Sequence, residues 1–301
     1  MKTIYIEKPS DINANLVYKA RIVLGFFDGI HLGHLKLIHE TKKYRKNKPI
    51  VVFTFDKSLK NSDKMLISLE NRIKTFEKLD IDYLYIFKTS EEFKNLSPNQ
   101  FIDLYLKPFK EPRFYAGEDF RFGRNAKGDI NTLKEAGLDV SVVSFLVDLD
   151  GNKISSRYIK KLVLNGEIEK ANSFLGENYY LNGIVQHGLQ NGGKVLFKTA
   201  NLDINPDLIV PKEGVYITKV EIGGKLYPSL TNIGNHPSLF ALDKSIIEVH
   251  IMNFDGDIYG DNIKVIFYKR IRDEIYFDDL NDLKYQIAAD IMLAKEYFKI
   301  K

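Results

Sequence analysis

Apolar positions follow two rhythms along this chain. In the first half, short apolar runs alternate with longer amphipathic, charged segments. Residues 21–26 (Arg-Ile-Val-Leu-Gly-Phe) read as a buried strand that passes through Asp28-Gly29 into a helical pattern over 32–44. Strands are then expected at 49–55, 82–87 and 113–116, with helices at 70–79 and 98–106 between them. Strands that alternate with helices imply βαβ units, a parallel sheet and right-handed crossovers. Ligands bind such sheets beyond the carboxyl ends of the strands, so the segment after residue 24 lies where a site is expected.

Beyond Gly176 the period shortens. Strand-like stretches recur at 179–186, 194–197, 214–222, 225–232, 245–253 and 262–272, with Gly192-Gly193, Gly223-Gly224 and Asp255-Gly256 as turns. Regular short strands without intervening helices suggest a small antiparallel β-barrel, closed off by an amphipathic helix over 280–298. The fold class is therefore α/β, a Rossmann-like parallel-sheet domain followed by a small barrel with a terminal helix. The expected boundaries are 1–155, a helical linker at 156–178, and 179–301.

Composition narrows the setting. The chain has no cysteine, so disulfides and thiolate metal sites are excluded and a reducing, cytoplasmic compartment is expected. No apolar run approaches bilayer length and the start of the chain lacks a signal-peptide pattern, so no membrane association is expected. The net charge of +4 is the small difference between 44 basic and 40 acidic residues and gives no reason to expect nucleic acid. Small anionic substrates explain local cations equally well. Oligomeric state is not written in the sequence.

The most informative chemistry lies in Gly25-Phe26-Phe27-Asp28-Gly29-Ile30-His31-Leu32-Gly33-His34. Glycines allow the backbone close to phosphates, and the N–H groups at a helix start attract negative charge. His31 and His34, three apart, share one helix face and can donate to charge that builds on an α-phosphate and a leaving pyrophosphate. Alone, a His-x-x-His pair also suits packing or half of a metal site, although no cysteine and few histidines remain to complete one. With both glycines and the preceding strand, the arrangement resembles the His-x-Gly-His motif of nucleotidyltransferases. Two later segments add glycine, aromatic, basic and hydroxyl groups: Tyr115 to Arg124, closed by Gly128-Asp129, and Ile154-Ser155-Ser156-Arg157-Tyr158-Ile159-Lys160.

In this order, these segments resemble the prokaryotic bifunctional riboflavin kinase/FAD synthetase family. The likeness continues through Gly183 to Gly188, Phe197 to Leu202, Gly214-Val215-Tyr216, Asn232-Ile233-Gly234, Ile247 to Ile251, Asp257 to Gly260, Ile271-Arg272 and the closing helix. It implies an N-terminal nucleotidyltransferase domain that adenylylates FMN to FAD and releases pyrophosphate. It also implies a barrel that phosphorylates riboflavin to FMN with ATP and Mg2+. By that resemblance His31 and His34 are catalytic, while Gly25, Phe27, Asp28, Gly29, Gly33, Ser155, Ser156 and Lys160 handle ATP phosphates. Asp119, Phe120, Arg121, Phe122 and Arg272 serve the flavin. Thr199 and Asn201 hold metal and ATP, and Glu248 is the base that activates the ribityl hydroxyl.

The match has departures. Lys57-Ser58-Leu59 replaces the family's Pro-His-Pro, Arg157 and Lys160 stand for threonine and arginine, and His236 and Ser238 for arginine and threonine. The barrel's Gly-Phe-Pro-Thr-Ala-Asn is here Leu196-Phe197-Lys198-Thr199-Ala200-Asn201. Two alternatives therefore stand beside the bifunctional enzyme. One is a monofunctional FAD synthetase with a silent flavin-binding barrel, the other a non-catalytic flavin or nucleotide sensor. The histidine motif by itself also admits another acceptor.

Overall fold

Six parallel strands form the sheet of the N-terminal half: β1 (Lys2–Ile6), β2 (Arg21–Leu24), β3 (Ile50–Phe55), β4 (Tyr83–Phe87), β5 (Arg113–Gly117) and β6 (Val140–Val143). The computed structural model describes residues 1–58, 63–186, 199–234 and 245–300. The chain divides into two compact units, Met1–Tyr158 and Ile159–Lys301.

β3 shows why the strands read as apolar runs rather than alternating ones. Its residues Ile50 to Thr54 are all buried, because helices cover both faces of a parallel sheet. Val51 and Phe53 pack on one face with Ile22, Leu24, Tyr85 and Phe87, whereas Ile50 and Val52 pack on the other with Val23, Leu84 and Ile86. The strand order is β1-β4-β3-β2-β5-β6. The chain builds outward from β2 through β3 to β4, then returns to lay β5 on the other side of β2. That reversal opens a crevice at the carboxyl ends of β2 and β5, where open α/β sheets bind ligands.

Helix α1 (Pro9–Ala14) follows β1, whereas α2 (Leu32–Lys43) and α3 (Leu69–Lys78) concern the site. α3 is capped by Ser68, whose hydroxyl accepts from the Asn71 N–H at 3.2 Å. Two expectations need correction here. The strand expected over 21–26 ends at Leu24, and Gly25 keeps one ladder bond to the Phe53 carbonyl at 3.3 Å before the backbone turns away. The helix expected over 98–106 is a short one, Pro98–Phe101, that widens into a π-type turn over Ile102–Leu106.

The second unit opens with helices α4 (Ser156–Leu164, whose first residues belong to the first unit) and α5 (Ile168–Phe174). Six antiparallel strands then close a barrel: β7 (Tyr180–Gln186), β8 (Ala200–Ile204), β9 (Gly214–Ile222), β10 (Lys225–Gly234), β11 (Ile246–Ile251) and β12 (Asn262–Arg272). The strand expected at 194–197 lies outside the described residues, while β8 occupies a stretch read only as a motif. The last helix, α6 (Leu280–Phe298), places Ala294 against outward-facing Val215, Ile217 and Leu230 of the barrel. Among the described residues, no helix is long and apolar enough to cross a membrane.

Candidate active sites

The loop that leaves β2 is wound more tightly than its sequence suggests. Phe27, Gly29 and Ile30 all take positive φ, at 61°, 80° and 41°. Only glycine adopts this region freely, and for a β-branched isoleucine it is an outlier. Packing supports the shape. Phe27 is fully buried, edge-on to Phe76 at 5.5 Å, and its ring fills the space that a side chain at Gly25 would need. The Asp28 carboxylate is buried and accepts from the backbone N–H groups of Leu66 and Ile67 at 2.9 and 3.3 Å. Strain of this kind persists only where surroundings over-determine it, and it concentrates at functional sites.

The loop delivers His31 to the N-terminus of α2 and His34 to its first turn. Their rings stack at 3.6 Å between centroids and 22° between planes, and Phe27 packs on His34 at 4.9 Å. Gly33 lies beneath this stack: an added Cβ would come within 3.0 and 3.1 Å of the His31 ring. His31 makes no side-chain capping bond, so the first N–H groups of α2 keep their capacity for an anion. Burial pushes His31 down to about 4, with nearby Asp119 opposing and Lys153 assisting. Burial also pushes His34 far below the usual histidine range, aided by the charges of His31 and Arg72. Both rings are therefore neutral near pH 7, each with one N–H donor. Neither buried Nδ1 has a hydrogen-bond partner among the described residues.

The other expected residues divide into those that reach this loop and those engaged elsewhere. Ser156 donates to the Asp28 carbonyl at 2.8 Å, whereas Ser155 caps α4 by accepting from the Tyr158 N–H at 3.3 Å. Lys160 lies on α4 within the second unit. Asp119 forms an ion pair with Lys153, which puts that pair close enough to His31 to influence its charge. Phe120 and Phe122 stack at 5.6 Å, but Phe122 is a core residue packed on Phe101. The exposed Arg121 pairs with Asp129 at 2.6 Å. Lys57 is exposed just past β3, and Leu59 lies outside the described residues.

Two residues escaped the sequence reading. Lys153 is a cation beside His31 whose only signal was its place just before Ile154-Ser155. Arg72 is buried behind the loop, and its signal was a basic residue one turn before Phe76 on the apolar face of α3.

In the barrel, Glu248 sits opposite Asn201 of β8 on one side and Asn232 of β10 on the other. Residues paired across neighbouring strands share a face, so the three polar side chains form one row. The flanking residues Ala200, Leu202, Ile247, Val249, Thr231 and Ile233 are buried, which sets the row on the outer face. Asn232 donates to Glu274 at 3.0 Å. Thr199 is exposed just before β8, while Leu196, Lys198, His236 and Ser238 lie outside the described residues. Arg272, expected beside flavin, grips Asp290 of α6, with Nη2 at 2.7 Å and Nε at 3.0 Å from the same oxygen. Its planar fork matches a carboxylate, and the pair fastens the last helix to β12.

The family model described as FAD synthetase matches residues 15–158, and the one described as riboflavin kinase matches residues 175–298. A bifunctional riboflavin kinase/FMN adenylyltransferase of Bacillus subtilis is 37% identical over 99% of this chain and 98% of its own length. The Escherichia coli K12 protein of the same description is 31% identical, with 92% of each chain covered. A solved Streptococcus pneumoniae chain described as a macrolide-efflux protein superposes with a TM-score of 0.88 at 30% identity, covering 98% of this chain and 99% of its own. Two family models in tandem and relatives matched over nearly their whole length agree: the chain belongs to the bifunctional riboflavin kinase/FMN adenylyltransferase family.

Proposed function

We propose that the two reactions of the family are divided between the two units, with FMN made in the barrel and FAD made at the loop after β2. The observation that carries the first assignment is the stacked, neutral pair His31 and His34 at an uncapped helix start. In adenylyl transfer the FMN phosphate oxygen attacks the α-phosphorus of ATP, and the bond to pyrophosphate breaks. No proton needs removing from an already ionised phosphate. The loop's task is to place donors where negative charge grows, and neutral imidazole N–H groups with helix N-terminal amides do so without titrating. Lys153, once drawn from Asp119, adds a mobile cation, and Ser156 holds the loop from behind through Asp28.

In the barrel, phosphoryl transfer needs positioning, charge neutralisation and a carboxylate near the attacking hydroxyl. Glu248 takes the proton of the ribityl hydroxyl as its oxygen attacks the γ-phosphorus of ATP, and ADP leaves. Thr199 and Asn201 offer hard oxygen donors two residues apart, and Asn201 lies directly across from Glu248. This donor set suits a magnesium ion shared with substrate phosphates. When bound, the ion neutralises phosphate charge. Flavin contacts are assigned to the loop around Asp119, Phe120 and Arg121, whose side chains reach the surface wholly or in part. Phe122 and Arg272, also expected at flavin, are held by the core and by Asp290. The cysteine-free composition supports a reducing, cytoplasmic setting.

Chromatography of flavins after incubation with ATP and magnesium tests the assignment, with riboflavin in one tube and FMN in another. FAD in both tubes is the expected result. FAD from FMN alone favours a synthetase with a silent barrel. No FAD from FMN overturns the reading of the first site.

A further inference from the structure

Arg72 is 1% exposed, and among the described residues no carboxylate forms an ion pair with it. Its charge is met by carbonyls instead. Nη1 donates to the Phe26 carbonyl at 2.7 Å and to the Thr54 hydroxyl at 3.3 Å. Nη2 donates to the carbonyls of Phe55 and Asp56 at 2.7 and 3.3 Å. The guanidinium also lies over the Phe26 ring at 5.0 Å. Burial lowers its pKa to about 10, against the pull of Asp28 and Asp56, so it stays charged at neutral pH.

Burying a cation without a carboxylate is costly, and an apolar side chain of similar volume would fill this space more cheaply. The fork does what an apolar side chain cannot, since it joins the carboxyl ends of β2 and β3. Its contact on the β2 side falls at Phe26, immediately before the positive-φ residue Phe27. The residue after Phe27 is Asp28, whose carboxylate is held by Leu66 and Ile67, a few residues before Arg72. One short segment thus grips the loop on either side of Phe27, the first of its positive-φ residues.

We propose that Arg72 is a positioning residue for adenylyl transfer, its two-armed donor fixing the Phe26 and Phe55 carbonyls so that the loop presents His31 and His34 to ATP. The inference rests on the assignment of adenylyl transfer to that loop. It differs from it in naming a group that never meets substrate.

The test compares wild type with Arg72→Lys and Thr54→Val in the full chain. FMN adenylylation (kcat, and KM for ATP) and riboflavin phosphorylation are measured on the same preparations, with thermal unfolding alongside. Lysine keeps the charge but cannot span both carbonyls. R72K is expected to lower the adenylylation kcat by roughly 10- to 100-fold, the scale for slight misplacement of reacting groups. KM for ATP should move less than about threefold, and phosphorylation should not change. T54V removes only the hydroxyl that shares the Phe26 carbonyl, where it donates at 2.8 Å, and should lower the same kcat several-fold. A wild-type kcat in R72K, or a rise in KM alone, overturns the proposal. If R72K does not fold, T54V decides: an unchanged kcat there overturns it. Wild type that makes no FAD from FMN refutes the site assignment instead, a result separable from any behaviour of the variants.

Discussion

His31 is placed where losing its ring and losing its setting have different consequences. His31→Ala removes a donor aimed at developing charge and is expected to cut FAD formation from FMN about 100-fold or more, with FMN formation from riboflavin unchanged. Gly33→Ala separates geometry from stability. Alanine favours a helix by about 1 kcal/mol over glycine, yet its Cβ would press the His31 ring at 3.0 Å. The expected result is a melting temperature at or above wild type with adenylylation kcat reduced roughly tenfold, as the ring is pushed off its partner. The buried ring also makes folding sensitive to acid. Its value of about 4 lies below the ordinary 6.5, so the unfolded chain takes up the proton first and stability falls as pH drops through that window. Urea unfolding of wild type and His31→Gln at pH 7 and pH 5 reads this directly. Wild type should lose ground to the variant at the lower pH, and an unchanged gap would show that His31 is not held neutral by burial. The histidines themselves were legible because their spacing, glycines and preceding strand are local. Arg72 and Lys153 were not, because what brings them to the loop is the packing of segments more than 40 and 100 residues away in sequence.

At the scale of elements, α6 meets β12 through one buried ion pair set beside the apolar packing of Tyr268 and Ile271 on Ile291 and Phe298. Asp290 is almost fully buried, and removing it leaves the Arg272 guanidinium partly enclosed without its carboxylate. Asp290→Ala is expected to destabilise the second unit by about 3 kcal/mol, measured as an earlier denaturant transition, with FAD synthesis from FMN untouched. A wild-type transition would mean that the apolar cluster around Ala294 holds the helix unaided. The partner of Arg272 is not legible locally, because the buried acid that engages it lies 18 residues further on. Long elements with clear periods were legible, among them β9, β12 and α6. The strands that escaped notice are short, and two of them lie at the edges of the parallel sheet. β1 and β6 border the sheet and are only partly buried, so their apolar residues make no continuous run. β8 is only five residues long, too short for its alternation of Asn201 and Asp203 with Ala200 and Leu202 to stand out.

On the scale of the whole chain, the residues proposed for each reaction fall within one unit, Lys160 of the expected phosphate set excepted. His31, His34, Arg72 and Lys153 belong to Met1–Tyr158, whereas Thr199, Asn201 and Glu248 belong to Ile159–Lys301. The product of one reaction is the substrate of the other, so this division has a kinetic consequence. If each unit completes its own chemistry, a chain damaged in one unit should still serve a chain damaged in the other. His31→Ala alone should turn riboflavin into FMN and stop there. Glu248→Ala alone should turn FMN into FAD but leave riboflavin unused. Mixed in equal amounts, the two should carry riboflavin through to FAD, after a lag while free FMN accumulates. Diluting the mixture should lengthen that lag, because the intermediate crosses solution between molecules. Wild type diluted to the same extent provides the comparison: a similar lag means that FMN is normally released, and a shorter one means that much of it is used before leaving the chain. A mixture that makes FMN yet never FAD, while Glu248→Ala still converts added FMN, would show that FMN leaving one chain never reaches the level the other needs. Division of the two reactions between the units would then be no basis for treating them as exchangeable steps.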